Sequence, residues 1–223
     1  MSDSLGREID LLAKYPKTKR DTSKRANSKT LQQQQLARKF GKDFFDGDRS
    51  NGYGGYHYNE RFWINVIPDF INFYNLKDGD KILDIGCGKG FMIYDFKKAN
   101  PKLQVEGIDI SEYAIENAKP EVKEFLKVGD AKKLNYDDNS FDLVISINTV
   151  HNLNLIECKQ AIMEIERVSR KHKFLTVDAY SNEQEKELMY SWNLTAKTML
   201  HTEDWKKLFL EAKYTGDFFW FKP

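Results

Sequence analysis

The sequence predicts an α/β fold: a doubly wound, mostly parallel sheet with helices on both faces. Three observations predict it. From about residue 80 onward, short aliphatic and β-branched runs alternate with amphipathic helical patterns. The first run, Ile82 to Ile85, passes directly into a glycine cluster, Gly86-Cys87-Gly88-Lys89-Gly90, and then into a helical pattern from Phe91. The second run ends in Asp109, about 20 residues after the glycines, where nucleotide-binding βα units hold a ribose. Here only one or two strands can follow the fifth, so an abbreviated end is expected.

The elements follow in order. Leu31 to Phe40 reads as a helix. Phe44 to Trp63 packs glycines, tyrosines, charge and His57 into a loop, a composition suited to a binding surface or lid. Glu60 to Tyr74 reads as a helix that Pro68 could kink or divide, and Asn75 to Asp80 as a turn. Strand one is followed by the glycines, which let backbone approach a ligand closely, and by a helix start with free N–H groups. Leu103 to Ile108 is a second strand, and Ser111 caps a short helix over Glu112 to Ala118. Val122 to Val128 is a third strand and Phe141 to Asn148 an apolar, central fourth. Leu155 to Ser169 has the spacing of an amphipathic helix. Lys173 to Tyr180 is a fifth strand, Glu183 to Trp192 a helix, and Asn193 to His201 is ambiguous. Thr202 is expected to cap a helix through Ala212, and Thr215 to Phe221 is a final strand.

Composition bounds the function. The 223 residues suit one domain with an N-terminal appendage, and 40% hydrophobic content can build a full core. A net charge of +1 gives no global basic field, so nucleic acid is not the expected partner. Lys14 to Lys29 is locally basic, which suits a solvated arm or a phosphate-binding one. Two cysteines, no apolar run of membrane-spanning length and no secretory apolar core set a cytoplasmic expectation without membrane insertion. No cluster has metal-ligand spacing, so no metal is expected.

The glycine spacing is not the G-x-G-x-x-G of a dinucleotide site, nor does it end in the Gly-Lys-Ser/Thr of a P-loop. Leu83-Asp84-Ile85-Gly86-Cys87-Gly88-Lys89-Gly90 instead resembles the first motif of class I S-adenosylmethionine-dependent methyltransferases. The resemblance covers roughly Asp80 to Tyr180 and implies a Rossmann-like, seven-stranded sheet, here with an abbreviated end, and S-adenosylmethionine as cofactor. It implies that Gly86, Cys87, Gly88 and Gly90 lie under the amino acid and ribose, with Asp109 on the ribose hydroxyls. Ile110 is then against the adenine face, and Asp130 and the N–H of Ala131 meet the adenine edge. Asp84 would hold the loop or meet the cofactor's ammonium through water, and Asn148 belongs to the cofactor cleft or positions the acceptor. The chain then divides into a basic polar arm over 1–40, partly helical or disordered; a Gly/Tyr-rich lid plus helix over 41–75; and a methyltransferase domain over 76–223.

Methyl transfer from a sulfonium is an in-line displacement that needs alignment first and a base only where the acceptor loses a proton. His151, just past the fourth strand, is the first candidate base, although histidines in this loop of the superfamily often line the pocket without acting as base. His57 is its rival. Tyr53, Tyr56, Tyr58 and Arg61 are candidate acceptor contacts. The Gly-Tyr-Gly-Gly-Tyr stretch is similar to methyltransferases of bacterial capsule and surface-polysaccharide biosynthesis. That implies O-methylation of a sugar, sugar nucleotide or phosphoramidate. Two other classes stay open: an RNA or protein methyltransferase using the basic arm, and a non-catalytic cofactor-binding subunit.

Overall fold

A computed structural model describes residues 5–16 and 29–222. At its centre is β1 (Lys81–Ile85), buried except for its first residue. It pairs in parallel with β2 (Gln104–Asp109) on one side and β4 (Phe141–Ile147) on the other. β3 (Leu126–Val128) adds to β2, and β5 (Ser169–Tyr180) to β4. The far side of β5 carries two strands: β7 (Asp217–Phe221) along its middle and the two-residue β6 (Leu200–His201) at its carboxyl end. The resulting seven-stranded sheet runs β3-β2-β1-β4-β5, with β6 and β7 both on β5. Every strand pairing in it is parallel. The expected Rossmann-like fold is therefore present. The expected abbreviation is not, since β6 and β7 bring the sheet to seven strands, and among the described residues both join it in parallel.

Alternate residues of the strands face opposite layers. Ile82, Leu143, Ile145 and Phe174 meet Phe70 of α3 (Ile67–Phe73) and Ile93 and Phe96 of α4 (Phe91–Ala99). Leu83, Ile85, Val144, Leu175 and Val177 meet Ile162 and Ile165 of α6 (Leu155–Val168) and Trp205 and Phe209 of α8 (Thr202–Glu211). A strand buried on both faces must be apolar throughout, which is why β1 and β4 were so visible in the sequence.

Four local expectations are corrected. Val122 to Phe125 is not strand: Lys123–Phe125 is a 3-10 turn, and only Leu126–Val128 pairs with β2. Glu60 to Tyr74 is not one helix but a 3-10 turn at Glu60–Phe62 and then α3, with Pro68 in its first turn, where a missing N–H costs nothing. β5 starts four residues before Lys173, because Ser169 pairs with Phe141. The cap of α8 is His201, whose Nδ1 accepts the Glu203 N–H at 3.2 Å, and Thr202 is its first helical residue.

The short helices α1 (Leu31–Ala37), α2 (Lys42–Phe45) and α5 (Glu112–Glu116) and the longer α7 (Glu183–Trp192) surround the carboxyl end of the sheet. Thr30 caps α1 through a reciprocal capping box with Gln33. At the other edge, the segment around Glu8 runs parallel to β7. Ile9 donates its N–H to the Phe218 carbonyl, and Phe218 donates to that of Arg7, both at 2.9 Å. The Arg7 guanidinium grips Asp217 with two hydrogen bonds of 2.8 and 2.9 Å. The basic run from Lys17 to Ser28 lies outside the described residues. Among the described residues no helix is long and apolar enough to cross a membrane, and no group of side chains has the arrangement of a metal site.

Candidate active site

The carboxyl ends of β1, β2, β4 and β5 open onto a cleft of about 1360 Å³. Ligands bind at this edge in open α/β sheets because the strand order reverses between neighbouring crossovers there. At the end of β1 the chain turns through Gly86 and Gly88, whose φ angles are +84° and +55°. A Cβ on Gly86 would stand 2.0 Å from Thr149 Oγ1, so no other residue fits. The Gly86 and Cys87 N–H groups donate to the Ile108 carbonyl at 2.8 and 3.0 Å, which ties the loop to β2.

Asp109 ends β2 with one carboxylate oxygen on the Gly88 N–H and the other on the Ser111 N–H, both at 2.8 Å. Burial raises its pKa, and those two N–H groups act against the rise. Asp84 lies beneath the loop, buried, with its pKa pushed up to about 7 by burial and then by the charge of Asp109. Next to Asp109, Ile110 is 56% exposed on the cleft wall. Asp130 follows β3 and accepts the Lys132 N–H at 2.9 Å; the Lys132 ammonium reaches Glu157 at 2.9 Å.

These residues fit a nucleoside-bearing cofactor. The glycine turn leaves space that any Cβ would fill, an apolar side chain stands uncovered beside it, and two carboxylates sit at the ends of neighbouring strands. Such a group would rest on Gly86 and Gly88, with Asp109 at its diol, Ile110 under its base and Asp130 with Ala131 at the base's polar edge.

The family model described as a methyltransferase domain matches residues 76–214. The chain belongs to that family. S-adenosylmethionine is the methyl donor that goes with it. The chain is 39% identical over 95 residues to phosphoethanolamine N-methyltransferase 3 of Arabidopsis thaliana, a match covering 39% of this chain and 19% of that protein. It is 38% identical over 85 residues to 27-O-demethylrifamycin SV methyltransferase of Amycolatopsis mediterranei, covering 35% and 31%. The matches thus span less than a third of these relatives' length. In fold, the chain is similar to phosphoethanolamine N-methyltransferase 2 of Haemonchus contortus, solved with phosphomonomethylethanolamine and S-adenosylhomocysteine. The TM-score is 0.57 at 20% identity, over 79% of this chain and 44% of that one.

The candidate site residues divide. Asp84, Gly86, Cys87, Gly88, Asp109, Ile110, Asp130, Ala131 and Asn148 all line the cleft, as do His57, Tyr53, Tyr56 and His151. Gly90, Tyr58 and Arg61 are not brought to it. Gly90 is the left-handed N-cap of α4, and a Cβ there would strike Leu126 and Val122 of the core. Tyr58 donates its hydroxyl to Asp95 of α4 at 2.7 Å, and Arg61 lies over the Phe62 ring.

His151 is 3% exposed. Its Nδ1 accepts the Asp178 N–H at 2.9 Å, which places the neutral ring's proton on Nε2, 3.5 Å from the Asp178 carboxylate. Burial holds its pKa below the ordinary histidine value against the pull of Asp178. In this arrangement neither ring nitrogen offers a lone pair to the cleft. His57 is exposed at the cleft mouth.

Asn148 directly follows β4 with φ +52°, a left-handed conformation that asparagine tolerates better than other side chains. Thr176 donates its hydroxyl to the Asn148 Oδ1 at 2.9 Å and accepts the Asn148 N–H at 3.0 Å. This fixes the amide so that its NH2 remains to donate.

Sequence reading missed Asp46, Lys89 and Thr176. Lys89 stands inside the glycine motif yet is 5% exposed, with its ammonium on Asp46 at 2.6 Å. A charged pair 43 residues apart leaves no periodic trace.

Proposed function

We propose that the chain transfers the methyl group of S-adenosylmethionine to an oxygen of a small polar acceptor, of the sugar or sugar-nucleotide kind. The observation that carries the choice of oxygen is Asn148. Its amide, oriented by Thr176, has N–H donors left for an acceptor oxygen at the strand end where the cofactor loop and β4 meet. The cofactor supplies the electrophilic methyl group. Gly86, Gly88 and Asp109 hold its nucleoside end, and Asp84 offers a carboxylate beneath its charged end. His151 acts as a positioning group, because both of its nitrogens are engaged with Asp178. His57, at the mouth, is the base where an acceptor hydroxyl has a proton to lose. Tyr56 and Tyr53, with ring centroids 4.4 Å apart, close one wall and exclude water.

One observation favours a second reading. Glu8 and Asp10 also line the cleft, and so do Tyr15 and Trp63, whose rings meet edge-on at 5.0 Å. Carboxylates beside aromatic faces suit a cationic amine.

Transfer of labelled methyl from S-adenosylmethionine to a panel of sugars, sugar nucleotides, phosphoramidates and primary amines separates the two. Label on a hydroxyl or phosphoramidate oxygen, lost in Asn148→Ala, supports the first reading. Label on amines alone supports the second. Tight cofactor binding with no turnover on any class indicates a cofactor-binding subunit.

A further inference from the structure

The segment from Phe40 to Asn59 is an aromatic flap laid across the glycine loop. Its rings form a continuous stack: Phe45 to Tyr56 at 5.5 Å, Tyr53 to Tyr56 at 4.4 Å and Tyr56 to Phe91 at 4.9 Å. Tyr56 lies directly on Gly88, where an added Cβ would meet its ring at 3.2 Å.

One side chain joins this flap to the cofactor loop. Asp46 accepts three hydrogen bonds from three different parts of the fold. Its Oδ1 takes the Tyr56 N–H at 2.9 Å, from the flap itself. Its Oδ2 takes the Lys89 ammonium at 2.6 Å, from the glycine loop, and the Tyr113 hydroxyl at 2.7 Å, from α5. Lys89 is buried, and Asp46 is its only carboxylate partner among the described residues. Burial alone would raise the pKa of Asp46, but the bonds from Lys89, Tyr56 and Tyr113 outweigh it and hold the group at about 2. Asp46 is therefore ionised at neutral pH. A buried ion pair contributes little net stability beside an apolar packing of the same volume, so its value here is better sought in what it connects.

We propose that Asp46 is a latch: it fastens Tyr56 over Gly88 and couples closure of the flap to seating of the methyl donor. The proposal rests on reading the cleft as the S-adenosylmethionine site. A positioning residue of this kind acts on how long the donor stays, since Asp46 reaches the loop under the donor and not the donor itself.

The test uses the full chain and S-adenosylhomocysteine as probe. Its dissociation rate is followed by stopped-flow fluorescence, and hydrogen exchange is followed across residues 44–56 with and without the probe. We expect Asp46→Asn to speed dissociation at least tenfold and to abolish the ligand-induced protection of the flap. Lys89→Met should do the same, and the double variant should be no worse than either single one. Tyr113→Phe, which keeps the ion pair, should speed dissociation only a few-fold and serves if the charge variants do not fold. Dissociation at the wild-type rate in a folded Asp46→Asn, with the flap still protected by ligand, overturns the latch. Failure of the wild-type chain to bind the probe overturns the reading of the cleft, and the latch with it.

Discussion

In the proposed donor site Asp109 would meet a diol with a carboxylate already held by two backbone N–H groups, so its contribution to donor binding is a difference between two sets of hydrogen bonds. Asp109→Ala should weaken S-adenosylmethionine by about 1–3 kcal/mol, measured by calorimetric titration. Unchanged affinity would remove it from the ribose site. Asp84 gives a pH prediction. Its folded-state pKa, about 7, lies above the ordinary value of 3.8. The fold therefore favours the protonated form, and this contribution to stability is present in acid and lost as pH rises from about 4 through about 7. Urea unfolding of wild type and Asp84→Asn at pH 5 and pH 8 should show the wild type losing on the order of a few kcal/mol relative to the variant. Equal slopes would mean that Asp84 is ionised throughout. A bound cation beside Asp84 reverses the preference, so donor affinity should rise over the same range. At this scale the sequence was generous: Asp84, Asp109 and Asp130 were legible because each sits at a strand end, and strand ends are marked by hydrophobic runs. The hydrogen bond from the Asp178 N–H to His151 was not legible, because ring tautomers depend on contacts 27 residues away.

Among the elements, the glycine turn tolerates little change. Gly86 combines φ +84° with a Thr149 side chain where its Cβ would be. Gly86→Ala should cost roughly 1–3 kcal/mol of stability and abolish donor binding, read by thermal unfolding and titration together. A stable, binding Gly86→Ala would show that the turn can be rebuilt. Gly90, expected in the cofactor site, instead faces the core, because its left-handed φ of +77° starts α4. Sequence spacing located the three glycines but not the directions in which their hydrogens point. Likewise, the apolar residues from Phe62 to Tyr74 read as one helix, because periodicity cannot distinguish a helix from a turn followed by a helix packed on the same wall. Pro68 marked the join, but it marked a helix start and not a kink.

For the whole molecule, the unexpected part is the first dozen residues. Nothing in their composition announced a strand, yet Arg7 to Ile9 pair with β7, and Leu11 is buried at 6% exposure. Deleting residues 1–12 uncovers the β7 edge and leaves the Asp217 carboxylate, among the described residues, with the Tyr74 hydroxyl as its hydrogen-bond partner. The truncated chain should lose about 2–4 kcal/mol in denaturant unfolding, since a buried carboxylate loses its cation and a core leucine is removed. Unfolding at the wild-type midpoint would show the segment to be peripheral. Alternating strands and helices revealed the central sheet because its crossovers are local. Its edge stayed hidden because the residues that seal it are 210 positions apart.

That separation has a consequence for assembly. During synthesis the segment around Glu8 leaves the ribosome 210 residues ahead of its partner strand. Until then it has no edge to join, and the long loop it closes makes this contact among the slowest to form. The early segment must wait, unpaired, while the rest of the sheet folds beside it. Linking β7 directly to the Glu8 segment and opening the chain at an exposed loop elsewhere would turn this late contact into an early one. Such a rearranged chain should refold faster than the natural order while reaching the same sheet.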